Sequence, residues 1–281
     1  MMLDRRQWLA GSAALAVTLA GCAPVARGGA TRPTPLGLQL YTVRELFSKD
    51  PMGTLEKVAA IGYREVEFGG GGYDRMDHAA LRATMDRLGL ASPSIHVGYE
   101  ALLADFDGAV RMAKTLGADT IVLPWLGDAQ RSAEGWQVVL SNLDPWAARL
   151  KAQGLGFAYH NHDFEFTAKH GGRSMFDALV AETDPDLVKV ELDLFWAVAA
   201  GEDPKELIRR LPGRIYAYHV KDRTADGKMT SVGEGTIDFA DIFTLNAVAG
   251  VRHFYVENDQ SPAPYLPDIR TSFTTLSRLR A

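Results

Sequence analysis

From residue 35 onward, short apolar runs alternate with amphipathic stretches, and the alternation repeats eight times. The runs at 36–41, 63–68, 94–97, 120–123, 155–160, 187–193, 215–220 and 254–257 are each short, apolar and bounded by polar or glycine positions, which predicts strands. Between and after them the spacing predicts helices over 52–61, 78–88, 101–116, 133–153, 174–182, 204–211, 239–248 and 266–279, with Pro145 able to interrupt the fourth. Eight strand–helix units with short connections predict an α/β protein, a single (β/α)8 barrel over residues 36–281. A doubly wound open sheet is the runner-up. It would carry a glycine-rich dinucleotide fingerprint after an early strand, and none follows the first. Glycines 69–72 follow the second strand without that spacing and read as a mobile loop.

In such a barrel the chemistry sits where the strands end. Those positions hold Gln39, Glu67, His96, His160 with His162, Glu191 with Asp193, His219 with Lys221, and Glu257. Strand alternation turns His160 and His162 to one side, and His219 and Lys221 likewise. Buried charges need partners or a metal, so packing alone does not account for this set. The densest stretch is Tyr-His-Asn-His-Asp-Phe-Glu-Phe at 159–166. Strands five to eight form one wall carrying His160, Asp193, His219 and Glu257, a mixed nitrogen and oxygen set suited to a divalent ion. Manganese, zinc, cobalt or iron fit it better than calcium, and magnesium is admitted. An ion there would polarise a sugar carbonyl or hydroxyl and stabilise the enediolate left by proton removal.

Composition, 47% hydrophobic and 23% charged, is that of a globular protein. A net charge of −5 and a pI near 5.8 argue against a nucleic-acid partner. Residues 1–21 read as a targeting segment: Arg5-Arg6 precedes an apolar run too short to span a bilayer comfortably. The arginine pair resembles a twin-arginine export signal, and Leu19-Ala20-Gly21-Cys22 resembles a lipobox, which implies lipidation of Cys22. Residues 22–35 then form a tether, rich in glycine and proline. The expectation is an exported, periplasmic protein held to the membrane only by its lipid anchor. Ala23, where an aspartate would favour inner-membrane retention, tips it toward the outer membrane. Cys22 is the sole cysteine, so no intramolecular disulfide forms.

Several motifs together resemble the xylose isomerase-like TIM barrels, in particular their sugar phosphate isomerase/epimerase branch. They are the 37–44 segment beginning Gly-Leu-Gln-Leu-Tyr, the 159–166 stretch, Glu191-Leu192-Asp193-Leu194-Phe195-Trp196, His219-Val220-Lys221-Asp222, the 232–239 segment around Gly233-Glu234-Gly235, and Val256-Glu257. The resemblance implies metal ligands from an acid on strand five, an aspartate on six, a histidine on seven and a glutamate on eight. Asp193, His219 and Glu257 match. His160 departs, standing where epimerases have glutamate, and Trp196 stands where a histidine would complete an Asp-x-x-His pattern. The two-glutamate proton shuttle implied for epimerases is therefore put in doubt. His162 or Lys221 is expected as acid/base beside Glu257, with a lysine near a cation able to show a lowered pKa. Gln39, Glu67, His96 and Trp196 are expected to meet the substrate, Trp196 through its aromatic face. Gly233 and Gly235 suit a tight loop, with Glu234 read more readily as helix entry than as a substrate contact.

The implied activity is metal-dependent proton abstraction beside a carbonyl of a carbohydrate or polyol, as isomerase or epimerase. A lyase or dehydratase of the 3-keto-glycoside or inosose type is the alternative, and a non-catalytic sugar-binding lipoprotein the alternative of another class. A DNA-repair endonuclease of the same superfamily would need more histidines and a positive surface. A homo-oligomer is compatible with the sequence.

Overall fold

Strands buried on both faces build the wall of this protein, whose computed structural model describes residues 35–279. The wall strands are β1 (Gly37–Gln39), β2 (Glu65–Glu67), β3 (Ser94–His96), β4 (Thr120–Leu123), β5 (Gly156–His160), β6 (Val188–Asp193), β7 (Ile215–Val220) and β8 (His253–Val256). They pair in parallel in the order β2-β1-β8-β7-β6-β5-β4-β3. The ring closes between β2 and β3, where the Val66 N–H donates to Ala91 O at 2.9 Å and the His96 N–H to Phe68 O at 2.8 Å. The predicted (β/α)8 barrel is the fold. The signal segment 1–21, Cys22 and the tether through residue 34 lie outside the described residues.

Alternate residues serve two different environments. Leu38, Val66, Ile95, Tyr159, Leu192 and Val256 belong to the main core, packed beneath the helices. The opposite parity faces the barrel axis, where Val122, Ala158, Tyr216, Ala217 and Tyr255 form a small separate apolar cluster. One step further along the same rows stand His160, His219 and Glu257. Gly37 makes room for this inner packing, since a Cβ there would sit 2.4 Å from Cδ1 of Tyr255.

β6 and β7 are out of simple register. Val190 pairs with Ile215 but Glu191 pairs with Ala217, so Tyr216 is an extra residue, and Asp193 comes level with His219. A bulge beside a site re-aims side chains in this way.

Three of the predicted helices differ from expectation. Asp105 accepts the Gly108 N–H at 2.8 Å and divides the predicted 101–116 helix into Tyr99–Ala104 and Phe106–Leu116. The predicted 239–248 helix is likewise two short pieces, Phe239–Phe243 and Asn246–Ala249. Pro145 does not interrupt its helix, which is continuous over Ala133–Lys151. Both Pro145 and Ser141, whose carbonyl loses its partner, lie on the exposed side, where water replaces the missing bond.

Candidate active site

The strand ends converge in two layers. In the lower one, Gln39 Nε2 donates to Glu67 Oε2 at 2.7 Å, while its Oε1 accepts the Tyr41 N–H at 3.0 Å. His96 Nε2 lies between Glu67 Oε2 at 3.0 Å and Glu191 Oε2 at 2.9 Å. Gln39 and Glu67 are fully buried and do not line the cavity above; Glu67 Oε2 is shared by Gln39, His96 and His219, and its Oε1 accepts from the Ser94 hydroxyl. His96 does line it, as do Trp196, His162 and Lys221.

The upper layer contains the expected metal set. His219 Nδ1 is 2.7 Å from Glu257 Oε2, and His160 Nε2 is 3.9 Å from Asp193 Oδ2. Each histidine turns its other nitrogen down onto Glu191 Oε2, 3.1 Å from His160 Nδ1 and 3.0 Å from His219 Nε2, and His219 Nε2 is also 2.8 Å from Glu67 Oε2. A carboxylate accepts there, so both of those nitrogens carry protons, leaving His160 Nε2 toward Asp193. His219 also donates from Nδ1 to Glu257, and Glu191 and Glu257 outweigh burial to hold its pKa well above the ordinary histidine range. Asn161 holds Asp193 in place, its Oδ1 accepting the Asp193 N–H at 3.0 Å.

Lys221 enters between the upper acids. Its Nζ lies 2.9 Å from Asp193 Oδ2, 2.7 Å from Glu257 Oε2 and 3.1 Å from Asp259 Oδ2. Burial by itself would lower its pKa, but Asp193, Glu257 and Asp259 outweigh that and hold it well above the usual lysine value. The shift is opposite to the lowered pKa anticipated from sequence, and it makes Lys221 an ammonium. His160 and His162 shift the other way. Burial, then neighbouring positive groups, holds both well below the ordinary histidine range, so both are neutral.

Five carboxylates, Glu67, Glu191, Asp193, Glu257 and Asp259, face three cations here, Lys221 and the imidazoles of His96 and His219 that these acids hold protonated, and the remaining negative charge favours an added cation. Glu191 Oε1 is buried without a hydrogen-bond partner, and Asp193 Oδ2 meets the Lys221 ammonium as its ion-pair partner. Asp193, His219 and Glu257 offer ligand atoms within 4.8 Å of one another, and His96, His160, Glu191 and His219 form a second such group. The donor set therefore fits a divalent ion with nitrogen and oxygen ligands.

Above the layers opens a cavity of about 670 Å³. Its lining includes Tyr41, Tyr73, Trp125 and Arg131, which the sequence did not single out. Asp259 and Asn161 were missed as well, although each stands near a chosen residue: Asp259 continues the two-residue step from Glu257, and Asn161 lies inside the 159–166 stretch. The Gly233-Glu234-Gly235 motif wraps around Asp222, whose Oδ2 accepts the N–H groups of Gly233 at 2.8 Å and Gly235 at 3.0 Å. A Cβ on Gly235 would lie 2.2 Å from Asp222 Oδ1, so only glycine permits this approach. Glu234 is not among the cavity residues.

The model of the xylose isomerase-like TIM barrel family matches residues 55–254, and the chain belongs to that family. It is 27% identical over 152 residues to inosose dehydratase 2 of Bacillus cereus, covering 46% of this chain and 49% of the relative. It is also 27% identical over 253 residues to inosose dehydratase of Geobacillus kaustophilus, covering 74% of this chain and 80% of the relative. In the first of these alignments the chain spans about half the length of the curated relative it matches. A sugar phosphate isomerase/epimerase from Parabacteroides distasonis superimposes with a TM-score of 0.75 at 24% identity, over 90% of this chain and 97% of that one. At that identity the likeness speaks to the fold.

Proposed function

We propose that this protein is a divalent-metal-dependent enzyme that removes a proton from carbon beside a carbonyl of an uncharged carbohydrate or polyol. The observation that carries the reading is the convergence of His160 and Glu257, which line the cavity, with Asp193 and His219 buried directly beside them. These four residues would hold the ion, which supplies a Lewis acid for the substrate oxygen. His162 Nδ1 is buried without a partner in a neutral imidazole lining the cavity, and serves as the base. The Lys221 ammonium serves as the proton donor. Glu257, bonded to both His219 and Lys221, positions each of them. Four carboxylates among the lining residues, Asp74, Asp163, Glu257 and Asp259, face three cations, Arg131, Lys221 and the protonated His96, a net negative field that disfavours a phosphorylated substrate.

Two outcomes follow from one carbanion. In isomerisation or epimerisation the proton returns to carbon. In elimination His162 takes the C–H proton, the electron pair forms the new double bond, and the β-hydroxyl leaves as water with a proton from Lys221. One neutral base and one ammonium, in place of two symmetric carboxylate bases, favour elimination, and the inosose dehydratase relatives point the same way. The test is metal analysis of the purified protein, then proton NMR in D2O with ketoses, inososes and 3-keto-glycosides, with and without EDTA. Metal-dependent C–H exchange with loss of water supports elimination, and exchange with an isomeric product supports the isomerase. No rebinding of a divalent ion and no exchange with any of them removes the proposal in favour of a sugar-binding protein.

The arginine pair and Cys22 support export and lipid anchoring. Cys22→Ala is expected to move the protein from the membrane fraction to the soluble periplasmic fraction. An unchanged distribution would count against the anchor.

A further inference from the structure

The cavity is several times larger than one sugar ring needs, and its outer part is aromatic. Trp125, at the end of β4, lines it and remains 50% exposed; Tyr41, after β1, lines it and remains 38% exposed. Each is backed by an arginine: the Arg131 guanidinium lies 4.1 Å from the Trp125 ring centre, and that of Arg44 lies 4.1 Å from the centre of Tyr41. Arg131 is itself fixed, lying also 3.7 Å from the Phe164 ring centre and donating from Nε to Leu126 O at 2.8 Å. A large aromatic ring held stiffly yet left half open at a cavity wall is a binding surface, because holding it there contributes little to the core.

The platform is continuous with the reactive floor. The Trp125 ring centre lies 4.7 Å from that of His162, which lies 4.9 Å from His160, which lies 4.4 Å from His219. A sugar ring over the histidines therefore leaves Trp125 about one further ring away. Pyranose rings and aromatic groups share what this wall recognises, a flat face with apolar C–H or π surface.

We infer that the cavity takes a two-ring glycoside, its reacting sugar at the His160–His219 floor and its second ring, a sugar or an aromatic aglycone, stacked on Trp125. The inference rests on the carbohydrate reading above and adds the outer subsite. It is tested by calorimetric binding of methyl, phenyl and glucosyl derivatives of one hexose to the metal-loaded protein, the hexose being chosen from a panel of methyl hexosides. Wild type is expected to bind the phenyl or the glucosyl derivative about tenfold more tightly than the methyl one. Trp125→Ala should abolish that preference while leaving the methyl hexoside affinity unchanged, and Trp125→Phe should largely retain it. Preference for the phenyl compound alone assigns an aromatic aglycone, and preference for the disaccharide assigns a second sugar. Equal affinities in wild type, or a preference that survives Trp125→Ala, overturn the subsite and leave the carbohydrate reading standing. Failure of every sugar to bind removes both.

Discussion

Glu191 reaches both upper histidines. One oxygen, Oε2, contacts His160 Nδ1 and fixes that tautomer, and it shares His219 Nε2 with Glu67 Oε2 at 2.8 Å. Glu191→Gln is expected to weaken divalent-ion affinity by about 10–100-fold, read by competition with a chromophoric chelator. Lys221 makes a contrasting case. Its ammonium occupies Asp193 and Glu257, so Lys221→Met should leave ion affinity unchanged or tighter while lowering kcat by about 10²–10⁴-fold. If both activity and ion binding collapse together, Lys221 is a structural cation and not the proton donor. Sequence position alone named Lys221 and Glu191 as strand-end groups. It did not reveal which oxygen meets which nitrogen, because those contacts cross strands.

The short helix after β5, Phe164–Thr167, carries the clearest pH signal. Glu165 Oε2 accepts the His162 N–H at 2.7 Å and Oε1 meets the Tyr159 hydroxyl at 2.8 Å, so this buried acid fixes the backbone of the proposed base. Burial raises its pKa from 4.5 to about 8, against the opposing pull of Tyr159 and the His162 N–H. A carboxyl whose folded pKa is raised keeps its proton when the unfolded chain has lost it. Its contribution to stability is therefore full below pH 4.5 and is lost as pH rises toward about 8. Glu165→Gln can accept from His162 and donate to Tyr159 without ionising. Relative to wild type it should gain at least about 1 kcal/mol between pH 5 and pH 9, measured by urea unfolding across that range. A difference that does not change with pH would show that Glu165 ionises freely in the fold. The 159–166 stretch was legible as a polar concentration, but its division into site residues and a buried brace depended on a turn that period-two spacing does not describe.

At the scale of the whole molecule, the barrel gathers acids from β2, β6 and the end of β8 around one axis. Bringing them together costs free energy that a bound cation offsets. An ion at 100 times its Kd would add about 2.7 kcal/mol, so stripping with EDTA should lower Tm by about 5–10 °C, restored by adding back the preferred ion. Differential scanning calorimetry on the stripped and reloaded protein measures this; equal Tm values would argue that Lys221, His96 and His219 already balance the acids.

Strand parity was settled by the sequence alone. Gln39, Glu67, His96, His160, Asp193, His219 and Glu257 all fall on the inward rows, because alternation is a local property of extended backbone and each run was apolar enough to mark itself. Helix ends were less legible, since a side-chain cap such as Asp105 outweighs periodicity over a few residues. Tertiary structure decided the rest. The extra residue Tyr216 in β7 brings His219 level with Asp193, and no pattern within β7 announces a bulge that exists only relative to β6. Asp259 reaches Lys221, and Trp125 is exposed at the cavity wall, for the same reason. Which strand ends meet, and at what height, is fixed by pairing across the ring, and that information is spread over the whole chain.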